Sequence, residues 1–225
     1  MPNSETTWNL VTTADLASVL NGDGTTATGV TLNIGTEATV GSNIIDFVGA
    51  NNINSTSLTG SAATSLGSIY GTATSNPAAK EGIFRNGATE GINAAIGVRI
   101  DGLDAGTYAL FYVGRNTNSA TVRAQTLYTA VGTSAGTLDF STLTPLTLSN
   151  SAISGNNTFI AGTNYLTTTA TLGPGQSLYI IADGTAVTEN RGFFNSLEIA
   201  AIPEPGAVVL VLSGLAGLLL YRRKK

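Results

Sequence analysis

Short runs of alternating apolar and polar residues recur along most of this chain. Val30, Leu32 and Ile34 alternate with Thr31 and Asn33, the period of a strand with one buried face. Ile96, Val98 and Ile100 do the same against Gly97 and Arg99. The connection Asp101-Gly102-Leu103-Asp104-Ala105-Gly106 leads into Thr107–Arg115, which is apolar on both faces (Tyr108, Leu110, Tyr112; Ala109, Phe111, Val113). Such a strand belongs in the middle of a sheet. Further strands are expected at 6–12, 120–131, 158–161, 165–172, 177–182 and 193–200, the last with Leu197 and Ile199 inward and Ser196 and Glu198 outward. Asn21-Gly22-Asp23-Gly24, Asn76-Pro77 and Gly173-Pro174-Gly175 read as turns. Asp15 is expected to cap a short helical turn through Leu20. Residues 41–79 read as long loops around one or two edge strands. This rhythm predicts an all-β fold, an antiparallel β-sandwich of jelly-roll type, over residues 1–201. No exact repeat is visible, so a β-solenoid is the less favoured alternative.

The pattern changes at the C-terminus. Pro203-Glu204-Pro205 is followed by Gly206–Tyr221 without a charge, then Arg222-Arg223-Lys224-Lys225. As a helix the apolar run would span about 24 Å at about 1.5 Å per residue. That is a little short of the roughly 30 Å hydrocarbon core, and the stems of Arg222 and Arg223 extend it by snorkelling. Gly206, Ser213, Gly214 and Gly217 would let another helix approach closely. The four terminal cations are expected to stay in the cytoplasm and to leave residues 1–205 on the far side. Pro203 and Pro205 fix φ and lack an N–H, which presents Glu204 in an extended segment.

This three-part tail, residues 202–225, resembles the PEP-CTERM sorting signal of exported bacterial proteins. The resemblance implies that Pro203, Glu204 and Pro205 are the motif read by an exosortase, an integral-membrane cysteine protease/transpeptidase. It implies that 206–221 is the transmembrane helix and Arg222, Arg223, Lys224 and Lys225 the membrane stop. It further implies a Gram-negative host, often one that makes exopolysaccharide. The chain would be held transiently in the inner membrane with its N-terminal domain outside the cytoplasm, then reach the cell surface or extracellular matrix. Such proteins carry an N-terminal secretory signal. Met1–Thr6 has neither a basic region nor an apolar run, so either a removed signal or a late gene start is implied, and export is expected either way. The ectodomain is similar to galactose-binding-like jelly rolls in its Gly-Leu-Asp-Ala-Gly-Thr-Tyr-Ala-Leu run at 102–110. The same likeness extends to Trp8-Asn9 with Asn195–Ile199.

Composition narrows the chemistry. Four of the ten basic residues occupy the last four positions, so residues 1–221 carry six against fourteen acidic ones, a net charge of −8. Nucleic-acid binding, which rests on Lys and Arg neutralising phosphates, is disfavoured. There is no Cys and no His. That excludes Ser-His-Asp and Cys-His nucleophile systems and argues against zinc, copper and non-haem iron. Calcium, which takes oxygen ligands only, is the ion this composition allows, and Asp23 and Asp183 are its candidate ligands. Asp101 and Asp104 sit in a turn, where Asp commonly bonds nearby backbone N–H groups rather than forming a glycosidase pair. Glu189 and Arg191 read as a surface pair. Arg115, Asn116 and Arg191 are candidate glycan-binding residues on loops over a rigid scaffold, with Tyr70 or Tyr128 as partners. Against that, the aromatics, Trp8 included, fill a core and the arginines are solvated.

The expected function is therefore a non-catalytic, exosortase-processed surface or matrix protein associated with exopolysaccharide. A carbohydrate-binding module is the alternative, and an extracellular glycan hydrolase or lyase is the least favoured reading. Replacing Glu204 or Pro205 should leave the tail uncut, with full-length chain accumulating in the membrane fraction by mass spectrometry. Mature protein of normal mass from either variant would contradict the assignment.

Overall fold

In the computed structural model, the structure describes residues 9, 11, 14–50, 52–57, 81–86, 92–114, 124–148, 162, 165–184 and 190–203. Fifteen strands and no helix are found among them. In chain order they are β1 Val19–Leu20, β2 Thr26–Ala27, β3 Thr31–Glu37, β4 Ile44–Asp46, β5 Ile53–Ser57, β6 Glu81–Arg85, β7 Ala95–Asp101 and β8 Gly106–Val113. They continue as β9 Gln125–Gly132, β10 Thr137–Asp139, β11 Leu146–Leu148, β12 Leu166–Leu172, β13 Ser177–Gly184, β14 Phe193–Phe194 and β15 Ser196–Ile202. β10-β4-β3-β7-β13-β9-β11 form one seven-stranded sheet. β12-β8-β15 and β14-β6-β5 form two three-stranded sheets, and every strand pair is antiparallel. The all-β antiparallel expectation holds, and the packing is that of a sandwich.

Strand alternation sets the layers. Leu178, Ile180 and Ala182 of β13, with Ile34, Val98 and Ile100, meet Tyr108, Leu110 and Tyr112 of β8 and Leu166, Ala170 and Leu172 of β12 in the main core. β8 lies between β12 and β15, the central position its two apolar faces called for. The other side of β13 is also covered. Tyr179 and Ile181 pack with Ile45, Phe47, Ala95 and Phe140 in a second apolar cluster. All eight residues of β13 are buried. Gly35 and Gly97 are cross-strand neighbours on this second face. A Cβ on Gly35 would meet Ile45 Cγ2 at 2.4 Å and Phe47 Cδ1 at 2.6 Å. Two adjacent glycines thus make the flat floor on which Ile45 and Phe47 lie.

Several local expectations change. Asp15 caps no helix. Its Oδ1 accepts the N–H of Ile34 at 2.6 Å, and Leu16 bridges to Leu32, because the segment is drawn against the open edge of β3. β6, β10 and β11 were not anticipated, since each is short and lacks a full alternating period. The strand expected at 193–200 is broken at Asn195, so Phe193-Phe194 pair with β6 while β15 pairs with β8. Ser196, expected outward, is buried next to that break. Asp101 ends β7 rather than standing in a turn. It forms an ion pair with Arg99 at 2.9 Å and accepts from Asn33 Nδ2 at 2.9 Å and from Ser177 Oγ, which ties three strands together. Trp8, Tyr70, the strand expected at 158–161 and most of 6–12 lie outside the described residues.

Gly35→Ala should destabilise the fold by roughly 1–3 kcal/mol through overpacking. Gly132→Ala, where nothing lies within 4 Å of the added Cβ, should stay within about 0.5 kcal/mol of the parent. Urea midpoints of the two variants check this. Equal midpoints would contradict the packing described.

Candidate functional site

Two places in the sandwich gather polar chemistry: the far end of the seven-stranded sheet and a cleft beside β15. The far end is built by strand register. Asp183 lies between Ala95 on β7 and Thr126 on β9. Glu37, at the end of β3, reaches Ala95 from the other side, accepting its N–H at 3.0 Å. Two buried carboxylates therefore flank one alanine. Their surroundings differ. Glu37 also accepts N–H groups from Gly41 at 3.1 Å and Asn43 at 2.9 Å, and its backbone carbonyl accepts Arg85 Nε at 2.8 Å. Burial draws the Arg85 pKa down, and the Glu37 charge opposes that.

Asp183 has much less. Asn93 Nδ2 donates to its Oδ2 at 3.2 Å, while its Oδ1 is buried without a hydrogen-bond partner. Burial, and then repulsion from Glu37, push its pKa up to about 7, against the opposing pull of the Asn93 amide and the Gly184 N–H. Asn190 Oδ1 and Arg191 Nε are likewise buried and unpartnered. Close approach brings these residues here. A Cβ on Gly192 would stand 1.8 Å from Ala182 O, and one on Gly184 would stand 2.1 Å from Arg191 N. The segment 190–192 is thus laid directly on the end of β13. Next to it, Tyr112 donates its hydroxyl to Phe193 O, with Gln125 Oε1 3.1 Å away. Burial holds the Tyr112 pKa well above its ordinary value.

The residues singled out from sequence fall into different settings. Arg191 is not a solvated loop cation, since its guanidinium stacks over Phe84, 5.1 Å from the ring centroid. Arg115 and Asn116 lie outside the described residues, as do Glu189, Glu204, Pro205 and Arg222–Lys225. Pro203 is described and exposed. Tyr128 is half-buried and stacks on Phe140 with centroids 5.0 Å apart. Asp23 is exposed, and its Oδ1 is taken by the N–H and hydroxyl of Thr25 at 2.9 and 2.6 Å. Those two bonds hold its pKa below the ordinary value. Asp23 and Asp183 are therefore unalike, one in a surface turn and one buried. Glu37 and Arg85, each at a strand end, and Asn190, in the connection before Arg191, escaped sequence reasoning because none carries a local motif. Among the described residues no three His, Cys, Asp or Glu side chains converge, and no helix is long and apolar enough to cross a membrane.

The cleft has about 900 Å³ of space. Leu32, Val98 and Ile100 of the seven-stranded sheet form one wall, and Tyr108, Leu197 and Ile199 form the other. Asn9, Asn21, Asp104, Asn195 and Glu198 also line it and supply its polar groups. Asn9 acts as a strand partner for β1, with Nδ2 donating to Leu20 O at 2.8 Å and Oδ1 accepting Leu20 N at 2.7 Å. The Tyr108 hydroxyl donates to Asp104 O at 2.8 Å. Burial, with the nearby Asp104 charge, raises the Tyr108 pKa. A hollow of this size that sets apolar walls beside amides, hydroxyls and carboxylates suits a small polar ligand with an apolar face.

No family model matches the chain, and no curated protein matches it. Solved structures do. TmCBM61 in complex with β-1,4-galactotriose aligns at 7% identity and TM-score 0.40, over 76% of this chain and 88% of that one. The enzymatically active domain of bacteriophage CBA120 tailspike protein 4 aligns at 10% identity and TM-score 0.37, over 78% of this chain and 20% of that one. A family 16 carbohydrate-binding module aligns at 14% identity and TM-score 0.30, over 55% of this chain and 82% of that one. At these identities and scores none assigns a ligand to this chain.

The Asp183 environment has a pH signature. Between the ordinary value of 3.8 and about 7, the folded chain holds a proton that the unfolded chain has lost. Stability, measured by urea midpoint in chelator, should therefore fall as pH rises through that window, by on the order of a few kcal/mol. Asp183→Asn should flatten the fall. An unchanged slope in the variant would contradict the buried, raised carboxyl.

Proposed function

We propose that this chain is an exported, non-catalytic cell-surface or matrix protein whose jelly-roll-like sandwich binds carbohydrate in the cleft beside β15. Its C-terminal tail would serve as an exosortase-read sorting signal and a transient inner-membrane anchor. The observation that carries the binding reading is the cleft itself. Its walls are apolar and its lining brings amide and carboxylate groups together, the pairing that a sugar ring with apolar and hydroxyl faces requires. The tail pattern, the acidic exported part and the lack of His and Cys support the reading on address and on absence of catalysis. Exopolysaccharide of the producing cell is the ligand class proposed.

The cleft and the far end are separable by substitution. In affinity electrophoresis with host exopolysaccharide, Asp104→Ala should abolish retardation while Arg191→Ala should not. Loss with Arg191→Ala alone would move the site to the far end, and no retardation of the parent would remove the binding reading. The same incubations should release no reducing ends. Release would make the protein a glycan-active enzyme.

A further inference from the structure

We infer that the far end of the seven-stranded sheet is a calcium site in which Asp183 is the charged ligand and Asn190 a neutral one. Both side chains are almost wholly buried, at 5% and 4% exposure. Both present an Oδ1 with no hydrogen-bond partner. A buried oxygen acceptor left unpaired is costly, and two in one corner of the fold call for something to fill them. The corner is tightly drawn together. Asn190 O accepts the N–H of Ala94 at 2.8 Å, Asn93 Nδ2 donates to Asp183 Oδ2, and the Asn190–Gly192 backbone lies on Gly184 and Ala182.

Charge decides between occupants. The nearest acidic neighbour, Glu37, is already saturated by the N–H groups of Gly41, Asn43 and Ala95. Arg85 serves the Glu37 carbonyl and the Asn86 carbonyl. The Arg191 guanidinium is stacked over Phe84. The Arg99–Asp101 ion pair lies at the opposite end of β7. Asp183 thus has an acidic neighbour whose charge is shared with Arg85, and no basic group bonded to its own carboxylate. A divalent cation supplies the missing charge. The unpaired acceptors on offer are oxygens, one carboxylate and one amide, while the Arg191 Nε orphaned beside them is an N–H donor that stays with its ring-stacked guanidinium. That set fits calcium, which accepts amide and backbone carbonyl oxygens and waters alongside few carboxylates. This site is separate from the cleft and does not depend on carbohydrate binding there.

Terbium titration of the full chain in mild detergent tests the site. Tyr128 lies on β9 two residues from Thr126, which pairs with Asp183, so a bound ion should show tyrosine-sensitised emission. One terbium per chain is expected, displaced by calcium. Asp183→Asn should abolish the emission, and Asn190→Ala should weaken affinity at least about tenfold. Asp23→Asn should bind as the parent does. Absent emission, or undiminished affinity in Asp183→Asn, would assign the orphan oxygens to buried water and overturn the site. If circular dichroism shows that Asp183→Asn does not fold, Asn190→Ala decides, and unchanged affinity there overturns the proposal.

Discussion

Burial of β13 on both faces is the constraint on which the rest of the structure depends. An antiparallel sheet with one wet face would need only one core. This strand carries Leu178, Ile180 and Ala182 toward one layer and Tyr179 and Ile181 toward another. Its outer face must therefore be roofed, and the roof comes from Ile45 and Phe47 laid over Gly35 and Gly97, with Phe140 against Tyr128 beside them. The roof also encloses the polar residues of that face. Near one end the Arg99–Asp101 pair is joined by Asn33 and Ser177. At the other, Asp183 is enclosed with little to satisfy it.

The proposed function draws on the same geometry. The strands are committed to two cores, so recognition is left to the open side of the sandwich and to the strand ends. The cleft uses the open side, between the β1–β2 hairpin and β15. The oxygen-lined corner uses the strand ends, where Gly184 and Gly192 let two backbones touch. In the proposed reading the first would hold the ligand and the second would steady the scaffold, while the tail would supply the address.

Strands with clean alternation were legible from sequence. β3, β7 and β8 lie where their patterns placed them, and the double-sided apolarity of β8 predicted its central position. β13 was recognised as a strand, and its unbroken apolar run is the pattern of a strand dry on both sides, but the run alone did not say which elements cover its second face. Asp15 misled because a capping side chain and one that bonds a neighbouring strand have the same local sequence. The far-end site was half legible. Asp183 stood out as an acid beside glycine, yet Asn190 and Glu37 come together only through the register of β3, β7 and β13 and the crossing at Gly192. No spacing in the chain records that meeting. The cleft was not legible at all, being a space between elements far apart in sequence.

Carbohydrate binding in the cleft is tested by a backbone amide NMR titration of the protein with oligosaccharides cut from the host exopolysaccharide. Saturable shift changes confined to Asn21, Leu103, Asp104 and Leu197–Ala201 are expected, with the far end unmoved. Changes centred elsewhere, or none at saturating oligosaccharide, would contradict it.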